Sequence, residues 1–96
     1  MKPSVALENN RAAIRAVVET NRAKNARVFG SVLRGEDAED SDLDILIDPI
    51  EGTTLFDLGA IQEELSDLLG VRVDILTPMS LPERFRGKVL LEAEEI

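Results

Sequence analysis

A chain of 96 residues with 11 basic and 19 acidic side chains carries a net charge of −8, the wrong sign for a protein that binds nucleic acid by displacing its counterions. Cysteine and histidine are both absent, which excludes disulfides, zinc sites, thiol nucleophiles and imidazole acid–base chemistry and leaves only hard, oxygen-held metals: magnesium, manganese or calcium. With 44% apolar residues, no apolar leader after Met1-Lys2-Pro3-Ser4 and no span for a membrane, the expectation is one soluble, cytoplasmic domain over residues 1–96.

Leu7, Ile14, Val17 and Val18 recur at helical spacing and predict a helix over residues 5–24, with Ser4 as its N-cap. Ala26-Arg27-Val28-Phe29 reads as a short strand stopped by Gly30-Ser31. One helical turn, Val32-Leu33-Arg34, and a solvated acidic loop from Glu36 to Asp40 follow. Leu43-Asp44-Ile45-Leu46-Ile47 is a nearly continuous β-favouring run, as expected of a strand buried on both faces, and Asp48-Pro49 ends it. A second helix is predicted over residues 54–69, with Leu55, Leu58, Ile61, Leu65, Leu68 and Leu69 on its apolar stripe. Thr54 and Asp57 provide a capping box for it, and Gly70 a left-handed stop. Val71–Leu76 alternates as a strand ended by Thr77-Pro78. Pro82 then opens a closing helix on which Phe85, Val89, Ala93 and Ile96 share a face. Strands alternating with helices make this an α/β chain, and no repeat or interdomain linker divides it.

Asp42 and Asp44 stand two residues apart at the start of the second strand. Alternation sends both carboxylates off one face, where they can share one ion or bridge two. Asp74 interrupts the apolar run of the third strand, and a carboxylate there is costly to bury unless paired or bound to metal. If the two strands are neighbours, three carboxylates converge as a two-metal phosphoryl-transfer site requires; Arg72 and Val73 leave the facing of Asp74 open. Gly30-Ser31 follows a strand and opens a turn. Glycine there permits close approach to a phosphate, and the serine hydroxyl adds a donor.

Gly30-Ser31, ten intervening residues and then Asp42-Leu43-Asp44, with Arg34-Gly35 and Ser41 between them, resembles the DNA polymerase beta-like nucleotidyltransferase superfamily. Within it the likeness is to the minimal nucleotidyltransferases, often encoded as antitoxins beside HEPN-domain toxins, and it covers nearly the whole chain. The resemblance implies a short mixed β-sheet backed by helices on one side. It also implies that Gly30 and Ser31 hold nucleotide phosphates and that Asp42, Asp44 and Asp74 bind magnesium, two ions in all. Arg34 matches a common family position and is assigned either to the triphosphate or to the acidic loop. The implied reaction moves AMP from ATP, with pyrophosphate leaving, to an acceptor hydroxyl; in antitoxin members the acceptor is a tyrosine of the partner toxin. One of the carboxylates is a candidate to take the acceptor's proton.

Three other readings stand beside this one. Asp40, Asp42, Asp44, Asp48 and Glu51 match positions 1, 3, 5, 9 and 12 of a calcium-binding EF-hand loop, yet Ile45 replaces the glycine required at position 6 and lies in a β run. A non-enzymatic partner that covers a toxin, its metal site vestigial, is the competing class. An enzyme acting on a small molecule is the third, although no segment to bind one is evident. Arg84, Arg86 and Lys88 read as a solvated helix face or as contacts to phosphate or a partner.

Overall fold

The helix expected over residues 5–24 is two helices in the computed structural model, which describes residues 1–96: α1 (Pro3–Asn9) and α2 (Arg11–Thr20). Asparagines end both. Asn10 turns its Nδ2 back to the Ala6 carbonyl at 2.9 Å and Asn21 does the same to Val17 at 2.8 Å, side-chain bonds that compete with the helical ladder. Ser4 does not cap α1 as expected. Pro3 takes the first helical position after Lys2, and the Ser4 N–H donates to Asp37 Oδ2 at 2.9 Å. The acidic loop is therefore more than a solvated connection: Asp37 supplies the acceptor that a first helical turn lacks. That bond holds its carboxyl below the usual carboxylate range.

One mixed sheet runs in the order β3-β2-β1-β4, built from β1 (Ala23–Phe29), β2 (Leu43–Pro49), β3 (Val73–Leu76) and β4 (Glu94–Glu95). Strand β2 is antiparallel to β1 and parallel to β3, while β4 runs antiparallel to β1. β1 begins three residues before the expected start, because a bulge between Lys24 and Arg27, with Asn25 at φ 57°, keeps it paired with β2. As its apolar run predicts, β2 is central, and Leu43, Ile45, Leu46 and Ile47 are all fully buried. Helix α2 packs on β1, and α3 (Leu55–Leu69) packs on β3 and against α2. Ile14, Val18, Val28, Ile45 and Leu65 belong to the single apolar cluster.

Both expected ends of α3 are present. Thr54 Oγ1 accepts from the Asp57 N–H, Asp57 Oδ2 accepts from the Thr54 N–H, and Gly70 stops the helix at φ 68°. The apolar stripe is narrower than expected: Ile61, Leu65 and Leu69 are buried and Leu58 packs partly, whereas Leu55 is 85% and Leu68 47% exposed. Length gives the reason for Leu55. Fifteen helical residues extend roughly 22 Å and four strand residues roughly 13 Å, so α3 overhangs β3 at its Leu55 end, whereas Leu68, flanked by the buried Leu65 and Leu69, lies at the edge of the stripe.

The closing helix is also shorter than expected. α4 (Glu83–Glu92) buries none of its residues, and Ala93 leaves it at ψ 137°. Glu94 and Glu95 then pair with Val28 and Arg27, and the Ile96 N–H donates to the Ala26 carbonyl at 2.9 Å as its side chain enters the core. An uncovered β1 edge would leave its backbone groups unpaired, which the short fourth strand prevents. No helix is long and apolar enough to cross a membrane.

Candidate functional site

Alternation along β2 places its aspartates on one face, together with the fully buried Leu46, and the other apolar residues of the run on the opposite face. Leu43, Ile45 and Ile47 belong to the core cluster, so Asp42, Asp44 and Asp48 leave the opposite face, away from α2 and α3. Asp48 is taken by Arg27, which forms an ion pair with it, and by Asn25 Nδ2 at 2.8 Å. With Ile45 inside a strand, those bonds remove the calcium-loop reading. Asp42 and Asp44 remain at the start of the strand.

The neighbouring strand supplies the third carboxylate. β3 lies parallel to β2 in a register that pairs Leu43 with Val73 and Asp44 with Asp74. In-register neighbours on parallel strands project to one face about 4.8 Å apart, so Asp74 faces with the aspartate pair rather than alone to solvent. On the other side β1 is antiparallel, with Phe29 opposite Asp44, and the chain leaving β1 passes directly beside that carboxylate. The residue there is Gly30, at φ 77°. A Cβ on it would stand 2.3 Å from Asp44 Oδ2, so both the backbone angle and the space demand glycine.

From Gly30 the chain makes a turn that does not continue as a helix. The Arg34 N–H donates to the Gly30 carbonyl at 3.2 Å and the Glu36 N–H to the Ser31 carbonyl at 2.9 Å. Val32 is buried and Leu33 packs on the core, which anchors the turn and holds Ser31, partly buried, next to Gly30. Arg34 pairs with Glu36, Nε to Oε1 3.2 Å, so in this state it serves the acidic loop, while its charge still favours the ionised form of Asp44.

Asp44 carries the electrostatic signature of the site. Burial, then the charges of Asp74 and Asp42, push its carboxyl up to about 6, and Arg34 opposes them. A second cation, one that sequence reasoning did not assign to the site, stands beside Asp42 and Asp74. Arg72 Nε lies 3.7 Å from Asp42 Oδ2 and 3.6 Å from Asp74 Oδ1. A signal for it exists in the sequence: Arg72 stands two residues before Asp74, hence on the same strand face. Its carbonyl accepts from Leu43, the residue after Asp42.

The donor set suits a hard divalent cation. It is all carboxylate oxygen, one member is desolvated and electrostatically strained, and a cation already stands between the other two. No three acidic side chains are gathered closely enough to form a finished cage. Magnesium rarely uses one; it takes one or two carboxylates and completes its shell with water and substrate phosphates. A cleft of about 470 Å³ lined by Arg15, Glu19, Asn25 and Glu95 contains none of these residues, and the carboxylate site is open surface.

Residues 11–95, from α2 to β4 and including every candidate residue, match the sequence profile of the nucleotidyltransferase domain. The chain belongs to the minimal nucleotidyltransferase family. This nucleotidyltransferase is 41% identical over 73 residues to a Methanocaldococcus jannaschii protein provisionally named a protein adenylyltransferase, covering 76% of this chain and 78% of that one. It is similar to a solved structure provisionally described as a minimal nucleotidyltransferase, at 47% identity and TM-score 0.76, over 94% of this chain and 93% of the other. It also shares the fold of a toxin–antitoxin crystal structure with AMP-PNP, at 19% identity and TM-score 0.75, over 90% of this chain and 71% of that one.

Proposed function

We propose that this nucleotidyltransferase moves AMP from ATP to a hydroxyl group of a protein, and that the acceptor is a HEPN-type toxin which it neutralises in the cytoplasm. The observation that carries this reading is the parallel register of Asp44 with Asp74 beside a turn in which Gly30 leaves no room for a side chain. The relative named for protein adenylyl transfer and the toxin–antitoxin fold containing AMP-PNP support the choice of nucleotide and acceptor.

In this reading Asp42, Asp44 and Asp74 would hold two magnesium ions, whose charge would supply polarisation of the α-phosphate and neutralisation of the leaving pyrophosphate. Gly30 lets the backbone approach the triphosphate, Ser31 donates a hydrogen bond to it, and Arg34 leaves Glu36 to meet it. The acceptor oxygen attacks the α-phosphorus in line as the bond to the β-phosphate's bridging oxygen breaks, and one carboxylate takes the hydroxyl proton. Residues 1–96 act as one catalytic domain, and the acceptor docks on its open face. Its −8 charge favours a partner with a basic surface through steering.

ATP labelled in its α- or γ-phosphate tests the reaction class. The α-label should stay on the partner protein after denaturation, only with magnesium present, and the γ-label should leave in pyrophosphate. Retention of the γ-label would mean phosphoryl transfer, and retention of neither would leave no transferase.

A further inference from the structure

Arg72 is 74% exposed and sits at the mouth of the carboxylate site, nearly equidistant from Asp42 and Asp74. Ion pairs at 3.6–3.7 Å on a surface are individually weak. Here two of them converge on one guanidinium, in the gap where an ion bridging β2 and β3 would sit. A divalent cation and a guanidinium cannot share that gap, because their charges repel. The proposal rests on the reading of Asp42, Asp44 and Asp74 as the metal-holding set.

We propose that Arg72 is a resident cation that stands in for the metal between Asp42 and Asp74 and makes metal and nucleoside triphosphate bind as a coupled pair. Metal arriving alone must expel the guanidinium, which then gains nothing but water. Metal arriving with a triphosphate expels it toward phosphate oxygens. A planar fork on a long stem fits those oxygens well, and the exposed position of Arg72 leaves it free to swing. Each ligand therefore favours the other, and linkage makes the effect reciprocal. The empty protein meanwhile keeps its carboxylates partly neutralised.

The test is binding of manganese to the full chain, followed by the spin-resonance signal of free Mn²⁺, with and without AMP-PNP. The wild-type protein should bind Mn²⁺ weakly alone and about tenfold or more tightly with the nucleotide, within the usual span of site coupling. Arg72→Gln should bind Mn²⁺ alone several-fold more tightly than wild type and gain much less from the nucleotide. Arg72→Lys, which keeps the charge but not the fork, should bind Mn²⁺ alone as weakly as wild type and gain less than wild type from the nucleotide. Because Arg72 contributes only its backbone carbonyl to the sheet, both variants should retain the far-ultraviolet circular dichroism of the parent. Wild type that binds Mn²⁺ while Arg72→Gln binds it no more tightly alone overturns the role of Arg72 and leaves the metal site standing. Wild type that binds no Mn²⁺ under either condition overturns both.

Discussion

Asp44→Asn should abolish nucleotidyl transfer and at the same time make the metal-free protein more stable at pH 7. The second effect follows from Asp44 being raised to about 6 from an ordinary 3.8, chiefly by burial and then by Asp74 and Asp42. A carboxyl raised on folding binds its proton more tightly in the native state. Its contribution to stability is complete below pH 3.8 and is lost as the pH rises through about 6. The difference corresponds to roughly 3 kcal/mol, and with the group about half exposed to solvent screening about 1–2 kcal/mol is the better expectation. Asparagine carries no charge to lose. Without metal the variant should melt about 4–16 °C above the parent at pH 7 or more, with the advantage shrinking as the pH falls toward 4. With Asp44 as one of the proposed metal-holding carboxylates, its loss should lower transfer by about a thousandfold or more. Equal melting of the two proteins at pH 7 would show that Asp44 is not strained, and retained transfer would remove it from the reaction.

Gly30→Ala should cost activity far more than stability. The new Cβ, held at φ 77°, would fall 2.3 Å from Asp44 Oδ2 and 3.2 Å from its Cγ, so the carboxylate has to move. Misplacing a reacting group by about 1 Å commonly costs about a hundredfold in rate, and that is the expected loss. The backbone penalty of alanine in a left-handed conformation is roughly 1–2 kcal/mol. Gly35→Ala separates the two effects, because Gly35 has nearly the same φ, 72°, but a Cβ there would meet nothing within 4 Å. It should lower the melting temperature similarly while keeping most of the activity. Equal losses of activity in the two variants would mean that turn conformation, not the approach to Asp44, is what Gly30 provides.

Local chemistry explains which features were legible in the sequence. The capping box of Thr54 and Asp57, the stop at Gly70 and the buried run of β2 are each specified within a few residues, and each stands where expected. Asp42 and Asp44 share a face because strand side chains alternate. What sequence cannot specify is register across distant segments. The pairing of Asp44 with Asp74 depends on α3 carrying the chain back so that β3 lies parallel to β2. Arg72 escapes a reading of the sequence for the same reason, since only that pairing brings it between two carboxylates. The break at Asn10 and the end of α4 at Glu92 are hidden differently. Alanines and leucines carry the helical period across both places, while a side-chain bond to Ala6 and an open edge on β1 decide the outcome.

Covalent transfer of AMP to a protein partner changes that partner's mass, which intact-mass spectrometry reads out. After incubation with ATP, magnesium and this protein, and separation under denaturing conditions, the HEPN-type toxin should gain the mass of an adenylyl group. With Asp44→Asn in place of the parent it should gain none. A toxin that is silenced yet unchanged in mass, equally by parent and variant, would contradict covalent transfer and make the chain a binding partner rather than an enzyme.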